Sequence, residues 1–391
     1  MTTWVFDSSQ TGLSGISGQV GTLIAQLDII LSGTGFNSSS TGWGVTRSGS
    51  VATYTKTAHG MGVAGAPGIV LTMTGWNETE YNITDKNVTI VDANTITCTI
   101  AGTPATPGTG TATVKRSSLG WTKQWAGTNL ATYKQKTGTN QFALGVDDAG
   151  TNVARIRGFE SMTAAGVAVA SGTNPFPTDA QLSGGCFVTK SSTADATLRS
   201  WICYSDGKIF HFITQHSGLT TTGNGFRFGD FYSRKSGDIY NTLINGDIVT
   251  AATTTAIRVS NLVSTMSTIS GLWVARPYTG TVGSIAAGFI TDGIRSTVVT
   301  EMGAGGATYP HPIEGGIIPM PIWISEGTAA SGVRGTLPGA WNVCHARPLA
   351  TLDSFSGVGG TSMANKTFQV FNTGSAAQCC HETSDTWTAP N

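Results

Sequence analysis

At 391 residues the chain can bury a substantial core, yet only 11% of its residues are charged, 22 basic against 22 acidic. That balance excludes the basic stripe of a nucleic-acid binder and the basic amphipathic face of a membrane-surface protein. With 52 glycines, abundant Ser and Thr and 39% hydrophobic residues, the pattern is one of strands cut by many turns.

A short strand over Trp4-Val-Phe6 ends at Asp7-Ser-Ser, and one helix follows. Val20, Leu23, Ile24, Leu27, Ile30 and Leu31 recur at the spacing of one helical face, with Ser17 as N-cap and Gly33 as stop. The helix is expected to pack on the edge of the main sheet. The N-terminus has no basic leader, and Asp28 interrupts its apolar run, so no cleaved signal peptide is expected. No uninterrupted apolar run is long enough to span a bilayer.

From about Val45 to Val114 the texture changes to short strands. Ile69, Leu71 and Met73 alternate, Val88 and Ile90 precede the turn Asp92-Ala-Asn94, and Ile96, Cys98 and Ile100 then alternate with threonines. Gly42-Trp43 before this run and Gly120-Trp121 after it mark an insertion whose ends return to one place. The chain is therefore divided into 1–42 (strand and amphipathic helix), 43–118 (a small inserted Ig-like or barrel β-domain) and 119–391 (the main β-rich domain). The fold class is mainly β, with a β-sandwich-like main domain.

Beyond Trp121, Phe142, Leu144 and Val146 lead to Asp147-Asp-Ala-Gly150, and Val153 to Phe159 returns as a second hairpin strand. Adjacent carboxylates do not converge on one point, so Asp147 and Asp148 read as turn residues and not as an acid/base pair. Asn174-Pro-Phe-Pro177 then leads to the central hairpin. Ser200–Ser205 meets Lys208–Ile213 across Asp206-Gly207, a two-residue turn that would set Ser205 opposite Lys208 and Cys203 opposite Phe210. Trp201, Cys203, Phe210 and Phe212 then share one face, and Ile202, Tyr204, Ile209 and Ile213 the other. Both faces are apolar, so each needs a dry partner, from this chain or from a neighbouring subunit. Phe226-Arg-Phe-Gly-Asp-Phe-Tyr232 and an apolar strand over Ile239–Ile244 continue the sheet. Trp201, Phe210, Phe212, Phe226, Phe228 and Phe231 are the candidate core or interface residues.

Leu272–Tyr278 is a strand running into a proline corner, and Ile317–Ile324 a strand confined to an edge by Pro319 and Pro321. Leu337-Pro-Gly-Ala-Trp341 reads as a turn, and the tail after Phe371, with little hydrophobic pattern, as loosely ordered.

No catalytic residue, cofactor site or metal site is assigned. Cys344-His345 with Cys379-Cys380-His381 offers zinc ligand types, but neighbours in sequence point apart on a strand, which argues against one centre. Six cysteines at irregular spacing, with Cys98, Cys186 and Cys203 in apolar runs, fit synthesis in a reducing cytoplasm. No P-loop, Gly-x-Ser-x-Gly or His-Glu-x-x-His occurs. His211 reads as a hydrogen-bonded core residue, and Asp206, Asp230 and Asp238 as turn residues. Trp43, Trp76 and Trp121 are read as exposed aromatics that either stack on sugars or, the favoured reading, pack a seam between domains.

Several of these segments together resemble a family of tailed-bacteriophage structural proteins. They are Val5-Phe6-Asp7-Ser8 with its helix, Trp125-Ala-Gly-Thr-Asn-Leu-Ala-Thr-Tyr133, Val146–Arg155, Phe226–Phe231 with Ser236-Gly-Asp238, and Arg334–Gly339. The segment from Ala58-His-Gly60 to Asp92–Ile96 is similar to small β-domains that phage virion proteins carry as insertions. The likeness is spread over most of the chain; Cys379-Cys-His381 departs from it. It implies an assembly role in the virion, at tail, baseplate or neck, with capsid decoration or a receptor- or glycan-binding appendage as alternatives. The implied partners are copies of the chain, other virion proteins and, at an appendage, a host surface glycan. Nucleic acid and membrane insertion are not among them.

Overall fold

The computed structural model describes residues 2–34, 41–136, 140–162, 172–215, 224–248, 271–290, 316–317, 319–326, 332–343, 349, 352–357, 366–372, 378–384 and 387. Cys344, His345 and His216 lie outside them. The protein is mainly β and sandwich-like: 50% of it is strand and 5% helical, and its sheets are antiparallel.

The chain opens with β1 (Trp4–Asp7) and α1 (Thr22–Leu27), which runs on as a π-helical turn over Asp28–Ser32. Gly33 stops it in the left-handed region, as its sequence position implied. Ser17 is not the N-cap. Gly21 is, at φ 76°, and it has no side chain to offer the first free N–H groups. Leu23, Ile24, Leu27, Ile30 and Leu31 are buried, whereas Val20 precedes the helix and is exposed.

The insert holds β2 (Gly44–Ser48), β3 (Val51–Thr55), β4 (Val70–Trp76), β5 (Ile83–Asn87), β6 (Thr89–Ile90), β7 (Thr95–Thr99) and β8 (Gly110–Arg116). They form two sheets, in the orders β2-β3-β7-β6 and β5-β4-β8, around a core of its own that includes Val45, Tyr54, Ile69, Met73, Trp76, Tyr81 and Ile96. The exit returns to the helix, where the Leu119 and Trp121 N–H groups donate to the Ile30 and Leu31 carbonyls at 2.8 Å. A segment with its own core and a closed exit is expected to fold when expressed alone, and the chain without residues 43–118 to fold too. Cooperative melting of both pieces is the check; an isolated segment that shows no transition, beside an insoluble deletion, would dispose of the insertion reading.

A second sheet follows: β9 (Thr122–Gly127), β10 (Leu130–Lys134), β11 (Ala143–Asp147), β12 (Val153–Met162), β13 (Gly172–Phe176) and β14 (Cys186–Thr189). Its order is β13-β12-β11-β10-β9, with β14 also on β12. The rest of the chain builds the large sheet from β15 (Trp201–Ser205), β16 (Ile209–Thr214), β17 (Asn224–Asp230), β18 (Tyr232–Ser233), β19 (Thr242–Asn245), β20 (Leu272–Val274) and β21 (Ile285–Ile290). It continues through β22 (Pro319–Glu326), β23 (Val333–Val343), β24 (Ser354–Ser356), β25 (Thr367–Asn372) and β26 (Gln378–Glu382). Its path is β1-β15-β16-β17-β19-β20-β21-β22-β23-β26-β25-β24, with β18 on β23.

The sheet curls until its ends approach each other. Thr3 donates its hydroxyl to the Ser384 carbonyl at 2.6 Å, and the Tyr204 hydroxyl donates to Gln369 Oε1 at 2.7 Å. The inner face encloses Val5, Ile202, Tyr204, Ile209, Ile213, Leu243, Phe289, Ile324 and Cys379. Its outer face over β15, β16 and β17 packs on the helix and the second sheet, through Trp201, Phe210, Phe212, Phe226 and Phe228. Both faces of the central hairpin are thus covered from within the chain.

The hairpin's faces are those read from the sequence, but its register differs by two residues. Ser205 pairs with Phe210 and Cys203 with Phe212, leaving a four-residue loop, Asp206–Ile209. Asp206 Oδ1 accepts the N–H groups of Lys208 and Ile209, and the Ser205 hydroxyl donates to the Ile209 carbonyl, which together hold the wider loop. A slip of two residues leaves every side chain on its face, so the packing inference survives the wrong turn.

Other expectations fail for local reasons. The strand placed over Ile239–Ile244 starts only at Thr242. β22 is not an edge strand: it lies between β21 and β23. Among the described residues, β21 pairs with β22 from Trp323 onward, and Pro319 and Pro321 pair with Val343 and Trp341 of β23. Leu337–Trp341 is not a turn but the middle of β23, where the pairing with β22 jumps between Thr336 and Trp341. Gly339, at φ 65°, allows that bulge, and any Cβ there would sit 2.2 Å from the Trp387 indole. The tail is not loose at β26, which is inserted between β23 and β25, with Trp387 buried behind it.

Candidate functional site

The six aromatics singled out from the sequence are all core. None is more than 1% exposed. Five of them meet on the outer face: Trp201 stacks on Phe212 at 4.8 Å, and Phe226 meets Phe210 and Phe212 at 5.4 and 5.3 Å. Phe228 stacks on Phe176 at 6.1 Å, while Phe231 lies apart, on the inner face. Trp43, Trp76 and Trp121 are not exposed, nor do they line a seam. Trp43 and Trp76 belong to the insert's core, and Trp121 packs edge-on to Phe210 and Phe228 in the main core.

The carboxylates that chemistry could use are engaged inside the fold. Asp206 is a turn residue, as read, and burial pushes its carboxyl up. Asp230 is not in a turn; it ends β17, where Oδ1 accepts the Thr242 hydroxyl at 2.6 Å. Asp238 does accept the Tyr240 N–H in a turn, but it also forms a two-pronged ion pair with buried Arg334 at 2.9 and 3.1 Å. Glu326 pairs with the same guanidinium.

Asp147 caps its own turn through the Ala149 N–H, while Asp148 turns inward and is fully buried. Its Oδ2 accepts the N–H groups of Leu23 and Ile24 at 2.8 and 3.2 Å. This carboxylate is the missing N-cap of α1, reaching it from 125 residues away. Asp148 Oδ1 meets the fully buried Lys190 at 2.5 Å.

A second polar centre lies on the inner face. Arg227 donates from Nε to His211 Nδ1 at 2.8 Å and from Nη1 to Asn245 Oδ1 at 3.1 Å. That bond leaves the His211 proton on Nε2, beside the Pro338 carbonyl. His381 lies flat on Tyr204 at 4.4 Å and edge-on to His211 at 5.2 Å, and neither of its ring nitrogens has a hydrogen-bond partner among the described residues. Desolvation first, and the Arg227 charge second, hold both imidazoles well below their ordinary pKa. Burial lowers Arg227 itself to about 10. His211 is therefore the hydrogen-bonded core residue expected of it. Cys379 and Cys380 fall in different clusters, on opposite faces of β26, as adjacent strand residues must.

The open site is a groove where β1, the insert and β25 meet. One part of it, about 430 Å³, lies between Val5, Asp7 and Gln10 on one side and the Gly60–Pro67 loop on the other, with Ile202 and Gln369 also in its lining. A depression of about 200 Å³ extends it past Asp7 and Ile202 to Gln215 and Leu352. A third of about 550 Å³ runs from Ala66 and Pro67 between the insert and Thr367 and Thr383. Among the described residues of these linings Asp7 is the one that carries a charge. Val63 stands 75% exposed at the rim and Leu352 41%. Such a surface can hold an uncharged segment by apolar contact, with amide and hydroxyl groups at hand, and has little with which to grip an ion. The sequence concealed this groove, since its residues come from segments hundreds of positions apart.

No protein-family model matches the chain, and no curated protein matches it.

Proposed function

We propose that the chain is an assembly subunit, one that works by packing against other proteins and not by chemistry. More particularly, we propose a structural component of a tailed-phage virion, at the tail, baseplate or neck, packed against copies of itself and other virion proteins. The observation that carries the first step is how the polar groups are used. Asp148, Asp206, Asp230, Asp238 and His211 each bind inside the fold, and the described lining of the groove is almost wholly uncharged, with apolar Val63 and Leu352 at its rim. The second step rests on the resemblance spread along the sequence. Asp148, Arg227, Asp238 and Arg334, all within the segments quoted for that resemblance, turn out to be internal joints. A glycan-binding role would have drawn on Trp43, Trp76 and Trp121, which are buried.

Mass spectrometry and imaging of purified particles of a phage that encodes the chain test this reading. The chain is expected at fixed stoichiometry and in a symmetric position; its absence from intact particles would refute the proposal. The purified protein is likewise expected to hydrolyse no polysaccharide, peptide or nucleotide. Activity abolished by one substitution at Asp230 or Asp238 would show that a site was missed.

A further inference from the structure

We propose that Lys190 and Asp148 become joined by an intramolecular amide bond, a covalent cross-link between the ends of β14 and β11. Both side chains are fully buried, with no exposed surface on either. Lys190 Nζ has three partners: the Gln19 carbonyl at 2.7 Å, the Gly150 carbonyl at 2.8 Å and Asp148 Oδ1 at 2.5 Å. Two tetrahedral positions on the nitrogen are thus held by peptide carbonyls, and the third points at the carboxyl group. When one proton passes from the ammonium to the carboxylate, that third position carries the lone pair, already directed at the group it would attack.

The other carboxyl oxygen is placed for the same step. Oδ2 accepts two peptide N–H groups at the start of α1, donors that would hold the negative charge developing on that oxygen as nitrogen adds to carbon. Burial pushes the Asp148 carboxyl up and the Lys190 ammonium down, both towards the neutral forms that react. The atoms balance within the pair. The Nζ–Cγ bond forms, the Cγ–Oδ1 bond breaks, and Oδ1 leaves with two of the ammonium protons as water, with no oxidant, reductant or further reactant. The driving force is that a buried ion pair bears the desolvation of two charges, whereas an amide bears neither and releases a water. The link would tie β14 to β11, which both pair with β12, and fasten Asp148 to the helix it caps.

Peptide mapping of the folded wild-type protein decides it. The expected result is one branched tryptic species containing Asp148 and Lys190, uncut after Lys190 and lighter by one water than its two peptides together. Asp148→Asn should give the identical product, having lost ammonia instead of water. Lys190→Arg keeps the cation but offers no amine to acylate, so its peptides should separate. A wild-type protein that melts cooperatively yet yields separate peptides cut after Lys190 would overturn the proposal and leave an ion pair only.

Discussion

Phe212→Ala is expected to cost about 3–5 kcal/mol and to leave little soluble, cooperatively folding protein. The ring is fully buried, stacked on Trp201 at 4.8 Å and against Phe226 at 5.3 Å. Its cover is the helix and second sheet of the same chain, so truncation opens a cavity that no neighbouring molecule fills. The loss should therefore appear in the isolated protein, as a lowered thermal midpoint at any concentration. A variant that melts like wild type would mean that this face is not the core.

Acidification should destabilise the protein steeply through the His211–His381–Arg227 centre. Both imidazoles are held well below the ordinary pKa of about 6.5, so the unfolded chain takes up protons that the folded one refuses. Stability from this source is complete above the unfolded pKa and is lost as pH falls below it, at about 1.4 kcal/mol per pH unit for each histidine. Even one pH unit of such a loss from each is a sizeable fraction of the whole stability of many domains. The buried Asp206 carboxyl is pushed up and works in the opposite direction at lower pH. The decisive measurement is thus a comparison. His381→Phe keeps a ring against Tyr204 but does not titrate, so its stability between pH 7 and 5 should fall less than that of wild type. Parallel losses would remove His381 from the account.

Much of the fold was legible because strand faces repeat every two residues. Trp201, Cys203, Phe210 and Phe212 declared one face, and Tyr204 and Ile209 the other, whatever the turn between them. The turn itself was misread because Asp-Gly signals a tight turn, while the neighbouring side chains of Ser205 and Asp206 hold a wider one. Pro338-Gly339 misled in the same way: a dipeptide that usually ends a strand here makes a bulge within one, fitted to Trp387 from the far end of the chain. β26 was invisible because Gln-Cys-Cys-His-Glu shows no apolar alternation; its burial comes from insertion between two strands. Asp148 looked like half of a turn because its partners, Leu23, Ile24 and Lys190, are remote in sequence.

The remote cap on α1 has a kinetic consequence. A six-residue helix beginning at a glycine cannot persist alone, since nucleation costs more than so few bonds return. It must wait for β11 to deliver Asp148, 125 residues later, and β1 must wait longer still for β15. Chains dominated by such distant pairings fold slowly, because loop closure precedes the contacts that reward it. During that delay Leu23, Leu27, Ile30 and Leu31 are without the sheets that will cover them, while the insert, built from nearby strands, can already be formed. A newly made chain would pass through a stage with a finished small unit and an exposed apolar arm. Refolding yield should therefore fall with protein concentration far more sharply than the stability of the finished molecule would suggest.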